Sequence, residues 1–219
     1  MLLYPKVTQL DLTGPFEVLI RIPDSRVRTI GKTLDPIHSE GGLTLVPSAT
    51  YADAPKLDVL FVPGGAGQIA LTQDRETLDY LAAVASGAQW VTSACTGALL
   101  LGAAGLLRGY RAATHWAFMD LLPVVGAIPV DQRVVVDRNR VTGGGVTAGI
   151  DIALTLAAEI AGRPVAEMIQ LALEYDPHPP FQSGHPRVAD RALVGRVREQ
   201  LSARFAERHA QLEAVAKTW

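Results

Sequence analysis

The chain contains a single cysteine, in a setting suited to covalent chemistry. Trp90-Val91-Thr92-Ser93-Ala94-Cys95-Thr96-Gly97-Ala98 carries an apolar, β-rich run into a thiol flanked by small residues, and a helical pattern starts at once. This is the pattern of a nucleophile elbow, a strand-to-helix turn that lifts the side chain above the carboxyl edge of a sheet, where open α/β sheets bind ligands. Only small neighbours tolerate the strained backbone of such a turn. At a helix N-terminus the thiolate is favoured by N–H groups and by the helix dipole, so a lowered pKa is expected for Cys95. The alternative, a small buried hydrophobe, is weaker in this context.

Asp11 is the second candidate. It lies in Gln9-Leu-Asp-Leu-Thr-Gly-Pro-Phe-Glu17, between two leucines and just before a helix that Thr13, Gly14 and Pro15 are expected to open. Partial burial would raise its pKa and let it exchange a proton near neutrality, and an N-terminal capping role competes with that reading on equal terms. Of the five histidines, His115 could approach the thiol from a neighbouring strand end, whereas His178 and His185 read as turn or interface residues. No His-x-x-x-His pair suggests a helical metal site.

Two glycine runs, Gly65-x-Gly67-x-x-Ala70 and Gly143-x-Gly145-x-x-Ala148, match a dinucleotide fingerprint. The acid required about 20 residues later at a strand end is missing, because Asp74, Glu76, Asp79, Glu159 and Glu167 all fall in helical patterns. The glycines therefore read as close backbone turns into helices, whose free N–H groups can still meet developing negative charge. No phosphate-binding Gly-Lys-Ser/Thr loop occurs.

These residues need a scaffold, and the alternation of β-rich runs with helical patterns supplies one. Strands are expected at Asp58 to Val62, Gln89 to Ser93 and Arg140 to Thr142, followed by helices at Thr72 to Ala85, Thr96 to Ala104 and Thr147 to Ala161. That rhythm predicts an α/β fold, a doubly wound, mostly parallel sheet with helices on both faces. Ile37 to Pro47 and Gly126 to Val141 carry hairpin chemistry. The apolar run from Gly97 to Leu107 is too short to span a membrane and reads as core. A proline-rich connector begins at about residue 176, and a mixed-charge helix is expected from about Arg187 to Ala216. With no dividing linker or repeat, residues 1–219 read as one domain.

Composition narrows the function. With 20 basic and 22 acidic side chains the formal charge is −2, which argues against nucleic acid or an anionic membrane as partner. A lone cysteine excludes an internal disulfide and a cysteine-built metal centre, and fits a reducing compartment. With no signal segment apparent, the expected location is the cytoplasm.

The chain resembles the DJ-1/PfpI superfamily over nearly its whole length. The residues that carry the resemblance are Gln9 to Leu19, Asp58-Val-Leu-Phe-Val-Pro-Gly-Gly65, Ser93-Ala-Cys-Thr-Gly-Ala98, Ala113-Thr-His-Trp116 and Thr142 to Asp151. The Asp-x-Thr-Gly-Pro opening and the Cys95-Thr96 pair are similar to the branch that hydrates isonitriles, whereas protease-like members carry Cys-His. The resemblance implies a flavodoxin-like fold, a homodimer, and hydration of R–N≡C to an N-substituted formamide through a thioimidate on cysteine, without metal or cofactor. It implies Cys95 as nucleophile, Asp11 as the acid/base bonded to it, Thr96 as a further catalytic residue, and the N–H groups of Gly65 and Thr96 as anion-binding donors. The same architecture also hosts glyoxalase- or deglycase-like action on small aldehydes, ligand-sensing domains of regulators, and redox sensing through cysteine oxidation. Only some forty residues, the connector included, remain from about residue 176, and their charges are mixed, which makes the regulator the weaker alternative.

Overall fold

The computed structural model describes residues 1–218. Along the chain come α1 (Gln9–Leu19), the two-residue strands β1 (Ile30–Gly31), β2 (Ile37–His38), β3 (Thr44–Leu45) and β4 (Ala49–Thr50), then β5 (Val59–Val62). Helices α2 (Gln68–Leu71) and α3 (Arg75–Gly87) lead to β6 (Trp90–Ser93) and α4 (Gly97–Ala103). Beyond β7 (Arg111–Ala112), two 3-10 turns and β8 (Ile128–Pro129), the hairpin β9 (Val134–Asp137) and β10 (Arg140–Gly143) precedes α5 (Ala148–Ala161), α6 (Arg163–Ala172) and α7 (Arg191–Ala216).

The central sheet has the order β5-β6-β10-β9, with β5, β6 and β10 parallel and β9 antiparallel to β10. Parallel neighbours need crossovers, which is why helices separate β5, β6 and β10 in sequence. The N-terminal residues extend the layer: Leu2 N–H donates to Phe61 O at 2.9 Å and Leu3 N–H to Ile30 O at 2.8 Å, linking β5 to the β1–β4 pair. Val91, Thr92, Ser93 and Val141 are fully buried, as expected of strands covered on both faces. Helix α1 packs on α5 and α5 on α6, while α4 meets α2, α3 and α7. Every residue of α4 is buried, so a helix that is apolar all round serves as core.

Most expected elements lie where the pattern put them, the β2–β3 and β9–β10 hairpins included. Three boundaries differ for identifiable reasons. The helix expected from Thr72 to Ala85 begins at Arg75, after the separate short α2, because Asp74 turns extended, accepts the Thr77 hydroxyl and pairs with Lys32 Nζ at 2.7 Å. Helix α7 starts at Arg191 because Asp190 caps it, accepting from Ala192 N–H at 2.9 Å and Leu193 N–H at 3.2 Å. Helix α1 begins at Gln9, so Asp11 sits in its first turn and Pro15 inside it, neither being a cap. Pro15 is tolerated there because its ring packs against Gly149 of α5; tertiary contact outweighs an intrinsic cost of about 3 kcal/mol.

Candidate active site

At the carboxyl ends of β5, β6 and β10, three loops come side by side: Gly64-Gly65, Cys95-Thr96 and Gly144-Gly145-Val146. The elbow is as expected. Cys95 has a φ of 53°, a left-handed backbone that costs a non-glycine residue roughly 1–2 kcal/mol. Bonds on both sides hold it: Cys95 N–H donates to Gly144 O at 2.9 Å, and the Thr114 hydroxyl donates to Cys95 O at 2.7 Å. Cys95 is buried, at 5% exposure, against polar groups: the Asp11 carboxyl and the N–H groups of Thr96 and Val146.

Its neighbour is Asp11, brought in by the first turn of α1 and fully buried. Gly64 N–H donates to Asp11 Oδ2 at 2.9 Å, while Oδ1 is buried without a hydrogen-bond partner. Burial raises the carboxyl pKa to about 7, the Gly64 N–H and the Cys95 thiol oppose that rise, and the charge of Glu40 adds to it. Thr96 turns its hydroxyl away from capping α4 and accepts Gly65 N–H at 3.1 Å.

Two features depart from the sequence reading. Burial, and then the charge of Asp11, push the Cys95 thiol well above its ordinary pKa, although the N–H groups of Thr96 and Val146 pull the other way. A helix terminus contributes about 0.3–1 kcal/mol, well under one pKa unit, whereas full burial moves a group by up to about 3–5 units, so desolvation decides the sign. Burial thus favours the protonated thiol over a stored thiolate, opposite to the sequence expectation. The Gly65 N–H is also bonded already to Thr96, so it positions that side chain instead of facing the sulfur.

Sequence reasoning did not single out Gly64 or Val146. A Cβ at Gly64 would lie 2.7 Å from Asp11 Oδ2 and 2.6 Å from Thr96 N, so only glycine lets the loop bond both partners. The doubled glycine was visible; which of its two N–H groups meets the acid was not. Nor could spacing show that Val146 N–H is directed at the sulfur. The glycine fingerprint is explained by packing, since a Cβ at Gly67 would fall 1.8 Å from Pro5 O.

His115 is not the base of a Cys–His pair. Its Nδ1 accepts Ala117 N–H at 3.2 Å, and burial, with help from the charge of Arg208, lowers its pKa to about 4. Together with Trp116, Met119, Arg133, Val146 and His185 it lines a cavity of about 330 Å³ beside the thiol loops. A larger cavity of about 530 Å³ opens at the other end of β5, around Ile22, Arg28 and Asp58, and contains none of the site residues. Among the described residues no group of acids, histidines and cysteine could hold a metal ion, and no helix is long and apolar enough to cross a membrane.

A parallel sheet carrying a strained cysteine over its carboxyl edge, beside a buried acid, defines the class. The chain belongs to the DJ-1/PfpI family, whose profile matches residues 1–159. It is 56% identical over 199 residues to the isonitrile hydratase of Pseudomonas putida, covering 91% of this chain and 87% of that protein. The crystal structure of a ThiJ/PfpI family protein from Pseudomonas syringae superimposes with a TM-score of 0.92 at 43% identity, covering 99% of this chain and 88% of the other. GbdR, an HTH-type transcriptional regulator of Pseudomonas aeruginosa, is 32% identical over 182 residues, 81% of this chain and 48% of the regulator.

Proposed function

We propose that this protein hydrates isonitriles to N-substituted formamides, with Cys95 as nucleophile, Asp11 as proton carrier and no cofactor. The observation that supports this most is a buried cysteine on a left-handed turn beside the buried carboxyl of Asp11, in a chain 56% identical to an isonitrile hydratase. In the first step ionised Asp11 takes the thiol proton as sulfur attacks the terminal carbon of R–N≡C, and returns it to that carbon, giving Cys95–S–CH=N–R. In the second, Asp11 takes a proton from water, hydroxide adds to the same carbon, and nitrogen is protonated. Collapse breaks the C–S bond, releasing R–NH–CHO and the thiol. The Thr96 and Val146 N–H groups favour the anionic stages; preorganised donors of this kind contribute about 3–4 kcal/mol.

The aldehyde-processing alternative would be favoured by a histidine on the sulfur, and His115 is engaged elsewhere. In this reading the protein acts in the cytoplasm as a homodimer, and exposed apolar side chains such as Leu171 and Phe181 are of the kind a second copy covers. Mass spectrometry of the protein mixed with an alkyl isonitrile should show an adduct on Cys95 and formamide in solution, and Cys95→Ala should give neither while remaining folded. Turnover of methylglyoxal with none of the isonitrile would favour the aldehyde reading, and full activity in Cys95→Ala would refute covalent catalysis.

A further inference from the structure

Three buried side-chain atoms around the Gly64–Gln68 loop lack hydrogen-bond partners: Asp11 Oδ1, Gln68 Nε2 and Arg208 Nη1. Arg208 comes from α7, beyond the residues matched by the family profile, yet is only 3% exposed. Its hydrogen bonds go to neutral acceptors, Nε to Gln68 Oε1 at 3.1 Å and Nη2 to Gly65 O at 3.2 Å, and its guanidinium carbon lies 4.4 Å from the centre of the Phe118 ring. Burying a guanidinium without a carboxylate is costly, and Arg does not escape by losing its proton. Such a charge is stabilised when a neighbour becomes anionic.

The acceptor identifies the neighbour. Gly65 O is held by Arg208, Gly65 N–H holds Thr96 and Gly64 N–H holds Asp11, so one two-residue turn joins the α7 arginine to both partners of the thiol. The groups within electrostatic reach of the guanidinium are Tyr4, Glu40, Cys95, His115 and Arg204. Of these, Cys95 is the one whose charge changes during the proposed reaction.

We infer that Arg208 is a positioning residue of the active site: it braces the Gly64–Gly65 turn and holds a positive charge beside the sulfur, so that the C-terminal helix completes the catalytic centre. The inference builds on the proposed role of Cys95, but its test needs no isonitrile. Because the chain has one cysteine, the rate of alkylation by iodoacetamide reports on Cys95 alone.

The experiment follows that rate from about pH 6 to about pH 10 for the native protein, Arg208→Met, Arg208→Lys and, as a packing control, Leu212→Ala on the same helix. Arg208→Met should react about tenfold more slowly, its rising limb displaced upward by about one pH unit. Arg208→Lys, whose buried ammonium loses its proton more readily than a guanidinium, should fall between the native and Arg208→Met curves, and Leu212→Ala should lose thermal stability with its limb unmoved. If Arg208→Met does not fold, Gln68→Glu, which places a carboxylate against the same guanidinium, should displace the limb in the same direction. A folded Arg208→Met or Gln68→Glu with the native profile, or an equal displacement in Leu212→Ala, overturns the inference. Displacement without isonitrile turnover by the native protein would defeat the hydratase reading and leave the role of Arg208 standing.

Discussion

At Cys95 the backbone and the surroundings pull in different directions. The positive φ and the two bonds at Gly144 and Thr114 fix the turn that carries the sulfur, while burial favours its protonated form. The acid must therefore move that proton during attack, which gives Asp11 a larger share of catalysis than a preformed thiolate would. Asp11→Asn should lower kcat/KM by about 10²–10⁴-fold, measured with an alkyl isonitrile. Since the carboxylate form accepts the proton, native kcat/KM should fall as pH drops below about 7, and Asp11→Asn should lack that limb. Thr96→Val removes the acceptor of a buried N–H and should cost about 1–3 kcal/mol of stability by denaturant titration, while Thr96→Ser retains it. The sequence showed Cys95 through its small flanking residues and Asp11 through its leucine neighbours. It could not show the protonation state, which depends on how deeply distant segments bury the sulfur.

Among the elements, α4 has the clearest energetic signature. Leu100 is fully buried in a helix with no polar face, so Leu100→Ala should lower unfolding stability by about 2–5 kcal/mol, read from the denaturant midpoint. The strands of the central sheet were legible because short apolar, β-rich runs ahead of small-residue turns allow few other readings, whereas the two-residue β1 and β4 are too short to leave a pattern. The start of α1 was not, since Thr13-Gly14-Pro15 resembles a helix opening until α5 packs against the proline. Helix α7 was legible as a helix but not as part of the site, because Arg208 sits among arginines and glutamates in a pattern that resembles a solvated face.

For the molecule as a whole, the buried acid should leave a mark on stability. The Asp11 carboxyl titrates near 4 when unfolded and near 7 when folded, so between those values the folded state binds more protons. Its contribution is intact below about pH 4 and is lost as pH rises through about 7, a change on the order of 4 kcal/mol. Asp11→Asn should then unfold at higher denaturant than the native protein at about pH 8, the stability gained at the expense of activity. The sheet order has a separate consequence. Because β9 runs backwards, its beginning reaches the thiol side, where Arg133 O accepts Gly144 N–H at 3.0 Å and Arg133 Nε meets Asp151 Oδ2 at 2.7 Å. The rim formed by Asp131, Gln132 and Arg133 thus lies outside the strand ladder, yet through Gly144 it is tied to the backbone that holds Cys95. The mouth of the cavity and the reacting sulfur thus share the Gly144–Val146 loop, so resizing the entrance is felt at the thiol.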